Sequence, residues 1–164
     1  MRRLVLSGVV ASVVAALLFG LFPLGCARPN GASSSGADAE VTTRGSYEVT
    51  ARLVEVPEGA VFERDLYNYA TILKYRVEEV HRGVIDDQLI YVGHYNPFKP
   101  RAAAADRRAP DVGGDLREFE AGQLHRMALE APIDDHYMGG IVNKYFGENT
   151  EPIYWAVWTN RADR

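Results

Sequence analysis

Between residues 46 and 56 apolar and polar side chains alternate: Tyr47, Val49, Ala51 and Leu53 fall on one side, Glu48, Thr50 and Arg52 on the other, and Pro57, Glu58 and Gly59 close the run. A period of two is that of a half-buried strand. A second run puts Tyr67, Tyr69, Thr71, Leu73, Tyr75 and Val77 on one parity against Asn68, Lys74, Arg76 and Glu78 on the other. Val80 breaks that phase, which predicts a bulge near Glu78 and Glu79, and His81, Arg82 and Gly83 form the predicted turn after it. Gln88 to Tyr95 is a third strand, with Gly93 where a backbone neighbour comes close.

Asn96 to Gly114 carries proline and glycine punctuation around a short alanine run, predicting a long loop with a helical turn or two. A turn at Ala121 and Gly122 leads into a fourth strand (QLHRMALE), and Ile153 to Thr159 is a fifth. Between them Pro132 to Glu151 is polar and glycine-bearing, with apolar anchors at Tyr137, Ile141, Val142, Tyr145 and Phe146. Trp155 and Trp158 differ by an odd number of positions, so regular alternation places them on opposite faces, one less buried than the other. No internal repeat is present. The expected fold is mainly β, a small five-stranded OB-like β-barrel with a long loop or short helix between strands 3 and 4.

The segment before this region has a different character. Met1, Arg2 and Arg3 precede an uncharged run from Leu4 to Phe22 that mixes small and large apolar residues, which is the pattern of a secretory signal. It ends at Pro23, Leu24, Gly25 and Cys26. This resembles the lipobox of bacterial lipoproteins, with Pro23 where that family usually has leucine. The resemblance implies lipidation of Cys26 and its exposure as the new N-terminus after cleavage. It also implies a cell-envelope location; were the cell Gram-negative, this would be the outer membrane or periplasmic face, with Ala27 rather than Asp after the cysteine favouring the outer membrane. An uncleaved transmembrane anchor, a twin-arginine signal and a free thiol in a spacer remain as alternatives. Residues 27–43 (ARPNGASSSGADAEVTT) are rich in Ser, Gly and Ala and read as a flexible tether. The organisation is therefore a signal peptide at 1–25, a lipidated cysteine and linker at 26–44, and a β-barrel domain at 45–164.

Composition narrows the chemistry. The chain of 164 residues has 18 Lys plus Arg against 22 Asp plus Glu, a formal charge of −4, which offers no basic footprint for nucleic acid. One cysteine excludes a disulfide framework and multi-cysteine metal sites. The runs LKYRVEEVHRG, LIYVGHY and FEAGQLHRMAL resemble the strand pattern of netrin-like and tissue-inhibitor-like OB modules. Those modules usually carry disulfides, so the resemblance implies the fold alone.

Two constellations carry candidate chemistry. His94, Tyr95, Asn96, Phe98, Lys99 and Arg101 leave a strand end, and Arg107 and Arg108 follow; aromatic faces beside cations and an amide can stack on sugars or hold carboxylates and phosphates. The second is His94 with Asp134, Asp135 and His136, an oxygen and nitrogen set for a divalent metal, although adjacent aspartates converge only in a turn. No GxSxG, HExxH or phosphate-cradling glycine loop occurs. The expected role is non-enzymatic: an envelope lipoprotein held at the bilayer by its N-terminal anchor, binding a partner protein or a polysaccharide and using no cofactor. The alternative is a metal-assisted hydrolase or transferase built on the second constellation.

Overall fold

The computed structural model describes residues 35–59, 68–99, 109, 111–116, 118–148 and 152–163, with side chains described from residue 39 onward. Helix α1 (Ser35–Thr43) precedes β1 (Tyr47–Glu55), β2 (Ala70–Arg82), β3 (Leu89–Tyr95) and β4 (Leu124–Glu130). A 3-10 turn at Ile133–Asp135, the two-residue β5 (Ile141–Val142) and β6 (Tyr154–Arg161) complete the order. The strands run β1-β4-β6-β3-β2 around a sheet that the β1–β2 pairing closes into a barrel. All five predicted strands are present, and β5 is an additional short strand. The edge of the long β2 is divided: residues 74–82 pair with β1, and Ala70 and Thr71 pair with β5.

The alternation read from sequence decides which side chains fill the barrel. Val49, Ala51 and Leu53 of β1 pack inside with Leu73 and Tyr75 of β2, Ile90 and Val92 of β3, Met127 and Leu129 of β4, and Tyr154 and Ala156 of β6. The predicted bulge is found, with Thr50 opposite Glu79 and Ala51 opposite Val77, so that Glu78 is the extra residue. Strand β2 nevertheless continues through His81 and Arg82, and the turn begins only at Gly83, whose φ is +80°. Cross-strand pairing extends the strand past the expected stop.

A second apolar cluster lies on the outer face of β2, β3 and β6. Ile72, Tyr91, Tyr95 and Trp155 supply its floor, and Val112, Ile133 and Tyr145 cover it. Gly93 makes this packing possible, because a Cβ there would stand 2.4 Å from Ile133 Cδ1. The close neighbour is thus a side chain, not the backbone anticipated. Of the five expected anchors, Tyr145 is buried, Tyr137 packs against the cluster, and Phe146 is 90% exposed.

Two expectations are corrected. Residues 35–43 of the supposed tether are helical, and Val41 is fully buried, so the folded region begins before residue 45. Arg82 explains how so weak a helix sequence is held: its guanidinium donates to the carbonyls of Thr42 (2.5 Å), Val41 (3.4 Å) and Arg44, the exposed acceptors of a helix C-terminus. Arg82 also meets Glu48, whose other carboxylate oxygen takes two bonds from Arg126 at 2.9 and 2.6 Å. The second correction concerns the tryptophans. Leu129 pairs with Ala156 but Ala128 with Trp158, so Val157 is bulged out of register. The bulge shifts the phase and returns Trp158 to the same outer side as Trp155, where Arg44 lies over its ring at 4.8 Å.

No helix among the described residues is long and apolar enough to cross a membrane. The signal-like segment, Cys26 and the tether up to residue 34 lie outside the described residues, as do positions 100–108, on which the predicted helical turn falls.

Tyr145 stands against the Glu55 carboxylate without a well-formed hydrogen bond, and Lys144 pairs with the same carboxylate at 3.0 Å. Burial first, then Glu55, raises the Tyr145 phenol well above the ordinary range; burial likewise raises Tyr137 and Tyr154. A phenol whose folded pKa is raised contributes stability that is whole below the unfolded value of about 10 and is lost as pH rises beyond it. Urea midpoints measured from pH 8 to 11 should therefore fall only at the alkaline end, and less steeply in Tyr145→Phe. A flat profile would contradict this reading.

Candidate functional site

Strand alternation separates the residues of the first constellation. His94 follows Ile90 and Val92 into the barrel and is fully buried, whereas Tyr95 points to the outer cluster. Inside, the Tyr75 hydroxyl lies 3.1 Å from His94 Nε2 and 3.0 Å from His125 Nδ1, and His125 is also fully buried. The Phe119 ring closes over both imidazoles, with centroids 4.8 Å from His94 and 5.6 Å from His125. Donors and acceptors set the direction of this chain. Gln123 donates through Nε2 to Glu120 (2.8 Å), which turns its Oε1 toward His125 Nε2 at 3.1 Å. A neutral His125 then carries its proton on Nε2 and accepts on Nδ1 from Tyr75, and the Tyr75 oxygen accepts from His94 Nε2. His94, expected from sequence to be a binding or metal-holding residue, is instead a fully buried member of a polar chain within the core.

Asn96 is likewise part of the frame. It is buried at φ +43°, accepts from Tyr69 N through Oδ1 (3.2 Å) and donates from Nδ2 to Asn68 (2.9 Å), locking the turn after β3. Asparagine tolerates this left-handed backbone because its short side chain bonds locally. Phe98 packs against the barrel interior, and Lys99 Nζ approaches Asn68 Oδ1 at 3.5 Å. Arg101, Arg107 and Arg108 lie outside the described residues.

What the outer face offers instead is a cleft of about 440 Å³. Its aromatic wall is Tyr95 from the end of β3, Trp155 from β6 and Tyr137 from the segment after the 3-10 turn. Tyr137 stacks on Trp155 with centroids 4.7 Å apart and planes 19° apart, and meets Tyr95 at 5.9 Å in a T-shaped contact. Asn68, Asp111 and His136 bring an amide, a carboxylate and an imidazole to the same cleft. Comparisons with protein families, curated proteins and solved structures return no match.

The second constellation is not brought together. His94 is inside the barrel, while Asp134, Asp135 and His136 are exposed around the 3-10 turn. Among the described residues no group of three or more His, Cys, Asp or Glu side chains gathers in a way that could hold a metal ion. The turn that would let Asp134 and Asp135 converge does exist, but His136 at its end belongs to the aromatic cleft. Sequence reasoning reached Tyr95, His136 and Trp155 by separate routes and did not join them. Nothing in the spacing signals Asp111 or Asn68, because the segments carrying them meet Tyr137 only through the packing of the outer cluster.

Proposed function

We propose that this chain is an envelope lipoprotein, anchored to the bilayer through Cys26, whose barrel is a non-enzymatic binding module for another envelope component, a polysaccharide or a protein. The observation that carries the binding role is the cleft formed by Asn68, Tyr95, Asp111, His136, Tyr137 and Trp155. It sets the half-buried Tyr137 and the edges of buried aromatic rings beside a few polar groups, a make-up common to ligand sites. The anchoring rests on the run from Met1 to Cys26. More than one acyl chain would be needed for stable attachment, since a single chain binds only marginally. The metal-assisted alternative has less support, because its four residues lie on opposite sides of the barrel wall.

Mass spectrometry of the mature protein tests the address: an acylated N-terminal cysteine is expected, and Cys26→Ser should leave the chain unprocessed or released. An unmodified Cys26 thiol in the wild-type protein would refute the anchored reading. For the module itself, sedimentation with isolated envelope fragments should recover the wild-type chain and lose it in Tyr137→Ala, with melting curves confirming that the variant is folded.

A further inference from the structure

Resting on the anchored-lipoprotein reading, we infer that the segment carrying Met138, Ile141 and Phe146 is a bilayer-contact surface, its apolar side chains seated among the lipids to which Cys26 is attached. Met138 is 96% and Phe146 90% exposed, and Ile141 between them is exposed as well. Their neighbours hold them outward. Tyr137 stacks on Trp155 and Tyr145 is buried over the outer cluster, so the residue after each of them turns away from the barrel. Pairing of β5 with Ala70 and Thr71 fixes Ile141 in the same segment. Exposed apolar groups gathered on one short stretch mark contact with an apolar partner.

The length of chain before α1 favours the bilayer as that partner. Nine residue steps separate Cys26 from Ser35, and at about 3.6 Å each when fully extended they keep the start of α1 within roughly 32 Å of an acyl anchor. At the other end of α1, Arg44 reaches the Asp111 carbonyl at 3.5 Å, and Asp111 and Met138 line the same cleft. The exposed segment thus shares the flank that α1 occupies. The tether is long enough for this flank to turn down onto the lipid and too short to let the barrel diffuse away from it. A short tether also makes the contact intramolecular, at an effective concentration of about millimolar, so a contact too weak to hold a free protein is still occupied.

The residues around the segment decide the kind of contact. Within 134–148, Asp134, Asp135 and Glu148 outnumber Lys144, and Lys144 pairs with Glu55 at 3.0 Å. The seating therefore draws on the apolar side chains rather than on attraction to anionic headgroups. A phenyl ring and an adaptable thioether suit the boundary between headgroups and acyl chains. Seated in this way, the cleft that Met138 also lines opens at the level of the headgroups.

The test reconstitutes the acylated mature chain in phosphatidylcholine vesicles with a nitroxide on Met138→Cys, on Phe146→Cys or, as control, on Glu79→Cys. Glu79 is exposed and lies opposite Thr50 of β1, the strand across the barrel from β3 and β6. Acylation of Cys26 leaves the introduced thiol as the one to label. At 138 and 146, collision with lipid-dissolved oxygen relative to a water-soluble nickel chelate should be at least fivefold that at 79. Phe146→Ser should lower the ratio at 138 at least twofold. Labels at 138 and 146 as open to nickel as the control overturn the inference. So does a ratio at 138 that Phe146→Ser leaves unchanged, since the label alone would then be what enters the lipid. Spin–spin broadening at 138 or 146 that fades on dilution with unlabelled chain makes the occupant a second copy and equally overturns it. Mass spectrometry separates these failures from failure of the parent reading. An unmodified Cys26 thiol removes anchor and seating together, whereas acylated Cys26 with wetted labels removes the seating alone.

Discussion

Replacing Tyr75 with phenylalanine is expected to destabilise the protein by about 3 kcal/mol, although the change removes a single oxygen from the barrel. The hydroxyl serves two imidazole nitrogens at 3.1 and 3.0 Å, and all three side chains are fully buried. Phenylalanine keeps the ring packing and leaves both nitrogens facing an apolar edge, each at the cost of an unsatisfied buried polar atom, roughly 1–3 kcal/mol. Thermal unfolding should shift down by about 10 °C for a domain of this size. The control is a cycle with His125→Leu. Once His125 is apolar, the Tyr75 change should cost measurably less, because one of the orphaned partners is gone. A loss under about 1 kcal/mol, or costs that simply add, would mean that the chain of bonds is not what holds this end of the barrel.

Gly114→Ala should be at least as damaging, for a reason that lies in the backbone. Gly114 has φ +124°, and a Cβ there would stand 1.9 Å from the carbonyl oxygen of Thr159 and 2.7 Å from its nitrogen. Those atoms belong to β6, which residues 113–116 accompany: Gly113 N donates to Val157 O at 2.9 Å, and Thr159 N returns a bond to Gly113 O at 3.0 Å. A side chain at 114 must push this segment off the strand, so overpacking and backbone strain combine to about 4 kcal/mol. Gly122→Ala is the matched comparison. Its φ is +86° with nothing within 4 Å of the added carbon, so only the conformational penalty of about 1 kcal/mol applies. Equal denaturant midpoints for the two variants would refute the close approach.

How much of this was legible beforehand differs by element, and the differences have physical causes. Strands β1 to β4 were plain because each buries one face and wets the other or is bounded by turn residues, and the phase slip at Val80 located the bulge at Glu78. The bulge at Val157 left no such trace: in YWAVWT both faces are apolar, so a one-residue shift changes nothing in the pattern and the tryptophan assignment failed with it. Helix α1 was hidden for the opposite reason. SGADAEVTT has low helical preference and one sizeable apolar side chain, Val41, and the carbonyl contacts of Arg82, some 40 residues later in the chain, are tertiary. His94 could have been placed from its own alternation with Ile90 and Val92, since a strand cannot send His94 and Tyr95 to the same side. The cleft could not, because Asn68, Asp111 and Tyr137 come from three separate connecting segments that local periodicity does not relate.

The grip of Arg82 on the end of α1 has a mechanical side. A pull entering from residues before 35 reaches α1 first, and α1 is fastened to the barrel by the buried Val41 and by a guanidinium shared with Glu48. Such a pull meets these contacts before it reaches β1. A module strained from its N-terminal side would thus have a strain relief ahead of its first strand, and cutting Arg82 back to alanine would leave that relief to Val41 and the weaker contacts around it.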